Sequence, residues 1–318
     1  MRTHKELAAM MRTAQRERRC VIGCSRSIRR ACRRRLDAGE LVSPYRNLYM
    51  ERTYWDALNP EERSLHVIRA LSKLHPRWVF AGLSAACLYG FEHAHSLHDG
   101  TVHIVCTGGI TDGDHDRLRR IYMPRIPLWV NRDRCYMTSP ARTLIDCAGY
   151  PFANALAIYD SALRGGRVTI EDVRTLMIQT TCDEDAVTRL LRHANPLSEN
   201  GGESLMRGRI VELDFAEPLL QVEFDNPANP SMPYRVDFCW RLADGRIIVA
   251  EYDGMAKYAD TSNPNRASLR SKLDYERARE RDLRAQGVTA IVHVFYEDVM
   301  TPQRLGEKLT TAGVPKLR

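Results

Sequence analysis

Three acidic residues in the last third of the chain have the types and spacing of a divalent-metal site. Asp237 lies in Tyr234-Arg235-Val236-Asp237-Phe238. Glu251 and Asp253 follow in Ile247-Ile248-Val249-Ala250-Glu251-Tyr252-Asp253-Gly254, with Lys257 four residues beyond. The turn Ala243-Asp244-Gly245 between two apolar segments predicts an antiparallel pair that sets Asp237 near-opposite Glu251. The two-residue period of a strand then puts Asp253 on the same face as Glu251. A single such acid is better read as a strand-edge partner of Arg235 or Arg246; three together argue for a ligand set. Carboxylate oxygens suit Mg2+ (or Mn2+), which keeps several waters and binds through one or two carboxylates plus a substrate phosphate. A metal held by Asp237, Glu251 and Asp253 would polarise a phosphoryl group and lower the pKa of an attacking water. The chemistry that fits is phosphodiester cleavage.

The elements around these acids are legible. Asn195-Pro196 and Ser198-Glu199-Asn200-Gly201-Gly202 form a compositional break and a predicted domain boundary. Beyond it the pattern predicts a helix over 203–213, a strand over 219–224, a loop with Pro227, Pro230 and Pro233, and the two acidic strands. A charged helix over 269–286 stops at Gly287, and a β-branched strand covers 289–295. The order is αβββαβ. The charged helix reads as a solvated face around Leu269, Leu273 and Leu283, with Arg277 and Arg281 as further candidates for DNA-backbone contact.

Charge is concentrated at the other end of the 318-residue chain. Residues 1–50 hold 13 Lys/Arg against 4 Asp/Glu, a net +9, while the remainder is −2. Such a patch is the footprint of a polyanion partner, because cation–phosphate contacts release counterions. Thr3 and Glu6 form a capping box for a helix over 3–18, and Ser25 is a good N-cap for a second helix ending at Gly39. In that second helix Ile28, Ala31, Cys32 and Leu36 share an apolar face while Arg26, Arg29, Arg30, Arg33 and Arg34 point elsewhere. Glu40-Leu41-Val42, the turn 43–47 and Leu48-Tyr49-Met50 read as a hairpin. Helix, basic helix, hairpin is the order of a winged helix-turn-helix, whose second helix enters the major groove of double-stranded DNA. The candidate DNA-binding residues are Ser25, Arg26, Arg29, Arg30, Arg33 and Arg46.

Between these ends, residues 57–195 alternate helical and strand patterns: helices over 60–74, 81–89, 153–163 and 170–178, and a strand over 102–105. The strand carries no carboxylate, which disfavours nucleotidyltransferase chemistry. Asp112, Asp114 and Asp116 mimic a calcium loop, but Arg117 and Met123 stand where the glycine and the bidentate glutamate are needed. His93, His95 and His98 have no matching acid or cysteine cluster in the sequence, and the nine cysteines include no C-x-x-C pair, so a zinc site is not expected. Scattered cysteines, no secretory leader and no membrane-length apolar run predict a cytoplasmic protein that does not engage a membrane. Arg142 and Asp146, one helical turn apart, read as a structural ion pair.

Two resemblances extend this reading. Residues 5–56, with Ser25-Arg26-Ser27, Leu36-Asp37-Ala38-Gly39-Glu40-Leu41-Val42 and Leu48-Tyr49, resemble the winged-helix domain of AbiEi-like antitoxins of type IV toxin–antitoxin systems, which bind their own promoter DNA. Asn47 stands where that pattern usually has glycine, and asparagine tolerates a left-handed backbone. Residues 82–90 and 139–146 resemble the second part of the same family. Val236-Asp237-Phe238, Glu251-Tyr252-Asp253-Gly254 and residues 274–287 look like the PD-(D/E)XK nuclease superfamily, in its Vsr-like branch. That resemblance implies that Glu203 reaches the metal shell. It also shows departures: Asp253 stands at the lysine of the E-x-K pattern, and Lys257 at the histidine of D-G-x-x-H. Lys257 is thereby a cationic candidate, though a lysine is a poor general base unless burial depresses its pKa.

The expected fold is multidomain α+β: a winged helix-turn-helix over 1–56, an antitoxin-like α+β domain over 57–195, and a restriction-endonuclease-like αβββαβ domain over 196–318. The expected function is DNA binding with metal-dependent endonuclease activity in phage defence or DNA repair, with Asp237, Glu251, Asp253, Lys257 and Glu203 as the catalytic set. The alternative is a non-catalytic antitoxin and transcriptional autoregulator with a cognate toxin protein as partner.

Overall fold

A computed structural model describes residues 5–108, 117–253 and 266–317, and of 266–273 the backbone alone. Thr3, the triad Asp112, Asp114 and Asp116, Gly254 and Lys257 lie outside the described residues. The chain is a multidomain α+β protein and divides into two compact units, Met1–Gly149 with Arg167–Thr188 and Tyr150–Gly166 with Arg189–Arg318.

The first unit begins with α1 (Lys5–Arg16), β1 (Val21–Ile22), α2 (Arg26–Asp37), β2 (Leu41–Tyr45) and β3 (Leu48–Glu51). Leu7, Met11 and Ala14 of α1 pack with Ile28, Ala31 and Cys32 of α2 and with Val21, Leu41 and Tyr49. These are three of the four residues of the apolar face that the spacing in α2 predicts; Leu36, the fourth, is half-buried and outside this cluster. Ser25 caps α2, its hydroxyl accepting from Ile28 N at 3.2 Å. The sheet order is β1-β3-β2, all antiparallel. The hairpin turn is tighter than the expected 43–47, because Ser43, Pro44 and Tyr45 belong to β2. As an edge strand, β2 tolerates a proline that cannot donate to the ladder. Asn47 takes φ 59°, the left-handed conformation its side chain permits.

The chain continues through α3 (Arg52–Asp56), α4 (Pro60–Leu74), β4 (Val79–Phe80), α5 (Gly82–Tyr89), β5 (Val102–Cys106), β6 (Leu118–Tyr122), β7 (Trp129–Arg132), β8 (Cys135–Thr138) and α6 (Pro140–Cys147). Five strands form a mixed sheet in the order β6-β5-β4-β8-β7. The expected 56/57 boundary falls inside this unit: Cys20 N–H donates to His66 O at 3.0 Å, and the Tyr54 hydroxyl meets His66 Nε2 at 3.0 Å. Arg142 and Asp146 form the expected ion pair within α6, Nε to Oδ1 at 2.8 Å, with both side chains buried.

Next come α7 (Phe152–Arg164), α8 (Ile170–Ile178) and α9 (Glu184–His193). α8 packs on α6 in the first unit, whereas α7 belongs to the second. The second unit adds α10 (Gly201–Glu212), β9 (Leu219–Phe224), β10 (Tyr234–Arg241), β11 (Ile247–Asp253), α11 (Arg266–Ala285), β12 (Val288–Phe295), α12 (Tyr296–Met300) and α13 (Pro302–Ala312). The expected 195/196 boundary falls inside it because α7 packs on α10. Gly208 makes this close approach possible, since a Cβ there would lie 2.5 Å from Ala153 Cα. Beside it, Arg207 and Asp160 form a buried ion pair at 2.5 Å, and Asn195 N–H donates to Asp160 at 2.8 Å.

The four-stranded sheet runs β12-β11-β10-β9, with β12 parallel to β11 and the rest antiparallel. One face packs Phe238, Trp240, Ile248 and Ala250 on Leu205, Met206 and Ile210 of α10 and Leu305 and Leu309 of α13. The other packs Val236, Cys239, Val249 and Val288 on Leu283 of α11. Val236 and Phe238 are two residues apart yet lie in different clusters, so β10 exchanges its faces at Asp237. β9 does the same between Leu220 and Val222, where Gln221 adopts φ 53°. The irregularity falls on Asp237 in β10 and on Gln221 in β9, and the β9–β10 register is the same on either side of it.

Candidate acidic site and nucleic-acid interface

The β10–β11 pairing ends at Phe238 and Ala250, so Asp237 and Glu251 are the first residues beyond it on the two strands. Asp237 Oδ2 accepts the backbone N–H of Tyr252 at 2.8 Å, which holds its carboxylate between Glu251 and Asp253 on β11. Gln221 Nε2 lies 3.4 Å from Asp237 Oδ1 and 3.1 Å from Glu203 Oε2, joining the two acids. Arg235 and Arg246, the alternative partners for Asp237, pair with Glu199 and Asp244 at 2.5 and 2.8 Å.

Glu203 enters from the first turn of α10. Asn200 caps that helix, accepting from Gly202 N and Glu203 N at 2.9 and 3.0 Å. In return Glu203 accepts from Asn200 Nδ2 at 2.6 Å and Glu199 N at 2.7 Å. Burial pushes its carboxyl up to about 7; the Glu199 N–H opposes this and the charge of Asp237 adds to it.

Glu251 and Asp253, on one face of β11, each meet a basic side chain. Glu251 is buried and ion-paired with Arg279 of α11, which also donates to Arg235 O at 2.9 Å. The Glu251 carboxylate holds the Arg279 guanidinium above its ordinary pKa despite burial. Asp253 Oδ2 meets His293 Nδ1 of β12 at 3.0 Å, and His293 Nε2 lies 3.5 Å from Glu280 Oε1 of α11. The hydrogen bond that Asp253 accepts from His293 raises the His293 pKa. Gln221, Arg279, Glu280 and His293 are not among the site residues that spacing singles out.

The donor set is oxygen-only and so fits Mg2+ or Mn2+ in type. In placement, Asp237 and Glu251 lie on neighbouring strands just beyond the last β10–β11 pair, Asp237 held by Tyr252 N–H and Glu251 by Arg279. Glu203 is held by Asn200 and Glu199, and Asp253 by His293. Among the described residues the one group of three or more donors placed to hold a metal ion is Cys87, His93 and His98, and none of these acids belongs to it.

The candidate nucleic-acid residues lie in the first unit. Arg26, Arg30, Arg33 and Arg34 line one exposed face of α2 with Ser27 and Asp37. Arg29 is exposed too, but its Nη1 donates to Gly23 O at 3.0 Å, so part of its guanidinium holds the turn before the helix. Arg46 is exposed at the hairpin turn. The hydroxyl of Ser25 is the acceptor that starts α2. No helix among the described residues is long and apolar enough to cross a membrane.

Comparisons with protein-family models, with curated proteins and with solved structures found no match to this chain.

Proposed function

We propose that the chain is a DNA-binding protein that grips duplex DNA through α2 and cuts or nicks it with a metal-dependent site in its second unit. In this reading the first unit carries an AbiEi-like winged helix followed by an antitoxin-like α+β segment. The second is a Vsr-like PD-(D/E)XK nuclease fold serving phage defence or DNA repair. The observation that carries the catalytic part is the convergence of Arg279 from α11 and His293 from β12 on the acidic residues of β11, beside the face exchange at Asp237. The E-x-K pattern lacks its lysine here, and the D-G-x-x-H pattern its histidine. Their chemistry returns from other elements, as a guanidinium from α11 and an imidazole from β12.

Asp237 and Glu251 would hold a divalent ion, which supplies charge for the phosphoryl oxygens and an acidified water when bound. Arg279, charged at any working pH, would turn its planar donors from Glu251 to a phosphate once Glu251 holds the ion. His293, oriented by Asp253 and with its pKa raised, retains a proton for a departing oxygen. Glu203 and Gln221 fix the orientation of Asp237.

A second reading is a non-catalytic antitoxin and autoregulator, with a cognate toxin protein as partner. The same Arg279–Glu251 contact favours it, since it neutralises an acid that a metal would otherwise use. Incubating duplex, mismatched and single-stranded DNA with Mg2+ or Mn2+ separates the two. Cleavage by the wild type that Asp237→Ala and Glu251→Ala abolish supports the nuclease; no metal-dependent cleavage of any substrate leaves the regulator.

A further inference from the structure

The first unit holds a donor cluster that the acidic-site reading does not use. Cys87 lies in the last turn of α5, and Gly90 ends that helix at φ 70°. The chain then turns so that His93 and His98 face each other with their Nε2 atoms 2.7 Å apart. Cys87 Sγ lies 3.7 Å from His93 Nε2, and all three donor atoms are within 4.8 Å of one another. Cys87 is buried and both histidines are half-buried.

The outward-facing nitrogens are anchored. His93 Nδ1 meets Phe91 O at 2.6 Å. A carbonyl only accepts, so Nδ1 carries the proton and Nε2 presents its lone pair inward. His98 Nδ1 meets the Ser64 hydroxyl of α4 at 2.8 Å. When that hydroxyl accepts, His98 Nε2 presents a lone pair as well, and two lone pairs 2.7 Å apart repel unless a cation lies between them. Anchoring one ring nitrogen on a carbonyl or hydroxyl is the usual outer support of a metal-ligating histidine. The competing arrangement has Ser64 donate and His98 Nε2–H bond to His93, with no ion.

We propose that Cys87, His93 and His98 bind a zinc-class transition metal that pins the loop after α5 to α4. One thiolate and two imidazoles select Zn2+ or Co2+ over Mg2+ and Ca2+. A tetrahedral ion has a fourth position. Glu61 of α4 and His95 are near enough to interact electrostatically with Cys87 and His98, and they are the candidates to fill it alongside water. Three ligands on the segment 87–98 and its anchor on α4 make the site a structural clasp for this unit. It is independent of the acidic site, whose metal would be oxygen-bound.

The test is Co2+ titration of the full chain under reducing conditions, read by absorption, with bound zinc counted in protein purified without chelator. The expected result is one zinc per chain and, on Co2+ loading, a thiolate charge-transfer band in the near ultraviolet with intense tetrahedral bands in the visible. Cys87→Ser should remove the charge-transfer band, and Ser64→Ala, which touches no ligand atom, should weaken affinity roughly 10- to 100-fold. Mg2+ should not compete. A folded wild type that takes up neither zinc nor Co2+, or a Cys87→Ser chain with an unchanged Co2+ spectrum, would overturn the assignment.

Discussion

Replacing Arg26, Arg30 and Arg33 together with alanine should weaken duplex binding in a way that salt reports. All three side chains are exposed on one face of α2. Each phosphate neutralised contributes about 0.9 to the negative slope of log K against log salt, so three contacts account for a slope of about 2.7. Over a fourfold salt range that amounts to roughly 40-fold in affinity. The helix itself should survive. Its buried face of Ile28, Ala31 and Cys32 and its Ser25 cap are untouched, and alanine is the better helix former. Fluorescence anisotropy on a labelled random duplex, from low to moderate salt, gives the two slopes. If some of these arginines read base edges instead, the slope falls by less and sequence preference relaxes. A variant with unchanged affinity and slope would refute α2 as the DNA-contacting element. Arg29→Ala is the control: because Arg29 holds Gly23 O, it should change stability more than slope.

Other expectations concern packing and titration. Arg279→Ala strands a buried Glu251 carboxylate and should destabilise the second unit by about 3 kcal/mol in urea melts. Arg279→Ala with Glu251→Gln should recover part of this, and equal loss in both would show that the ion pair carries no weight. Gly208→Val should cost about 3 kcal/mol or more by forcing α10 off Ala153, whereas Gly306→Ala, with nothing nearer than 4.0 Å, should be mild; similar melts for both would contradict the close approach. His103 of β5 is buried, and burial first, then Arg119, hold its pKa down to about 4 against an ordinary 6.5. The unfolded chain then binds the proton more readily, so this contribution is complete above pH 6.5 and is lost as pH falls toward 4. His103→Gln should flatten the stability profile in that window, and an unaltered profile would mean that other groups drive the acid transition.

The αβββαβ order and α4 and α8 were legible because their periodicity is long and clean. Short elements were not: β1 and β4 have two residues each, and β7 is exposed along its length, so none carries a pattern of its own. The antiparallel β10–β11 pair could be read from the Ala243-Asp244-Gly245 turn, since a hairpin fixes register locally. Arg279 could not be chosen. It sits between Arg277 and Arg281 in a helix whose surface is almost all charged, and only packing turns that one guanidinium inward. His293 is legible only through the parallel β11–β12 register that sets it opposite Glu251, 42 residues away. Cys87 was missed for a related reason: zinc patterns are sought as paired cysteines, and here one cysteine on a helix meets two histidines on the following loop.

The central claim, that the second unit cuts DNA with Asp237 and Glu251, is tested most directly by nicking of supercoiled plasmid. Wild type, Asp237→Asn and Glu251→Gln would be compared in excess enzyme with Mg2+, with Mn2+ and with chelator. The account predicts metal-dependent conversion to open-circle or linear DNA by the wild type alone, with both variants still binding the plasmid. Plasmid that stays supercoiled while bound by all three proteins, or conversion that both variants retain, would contradict it.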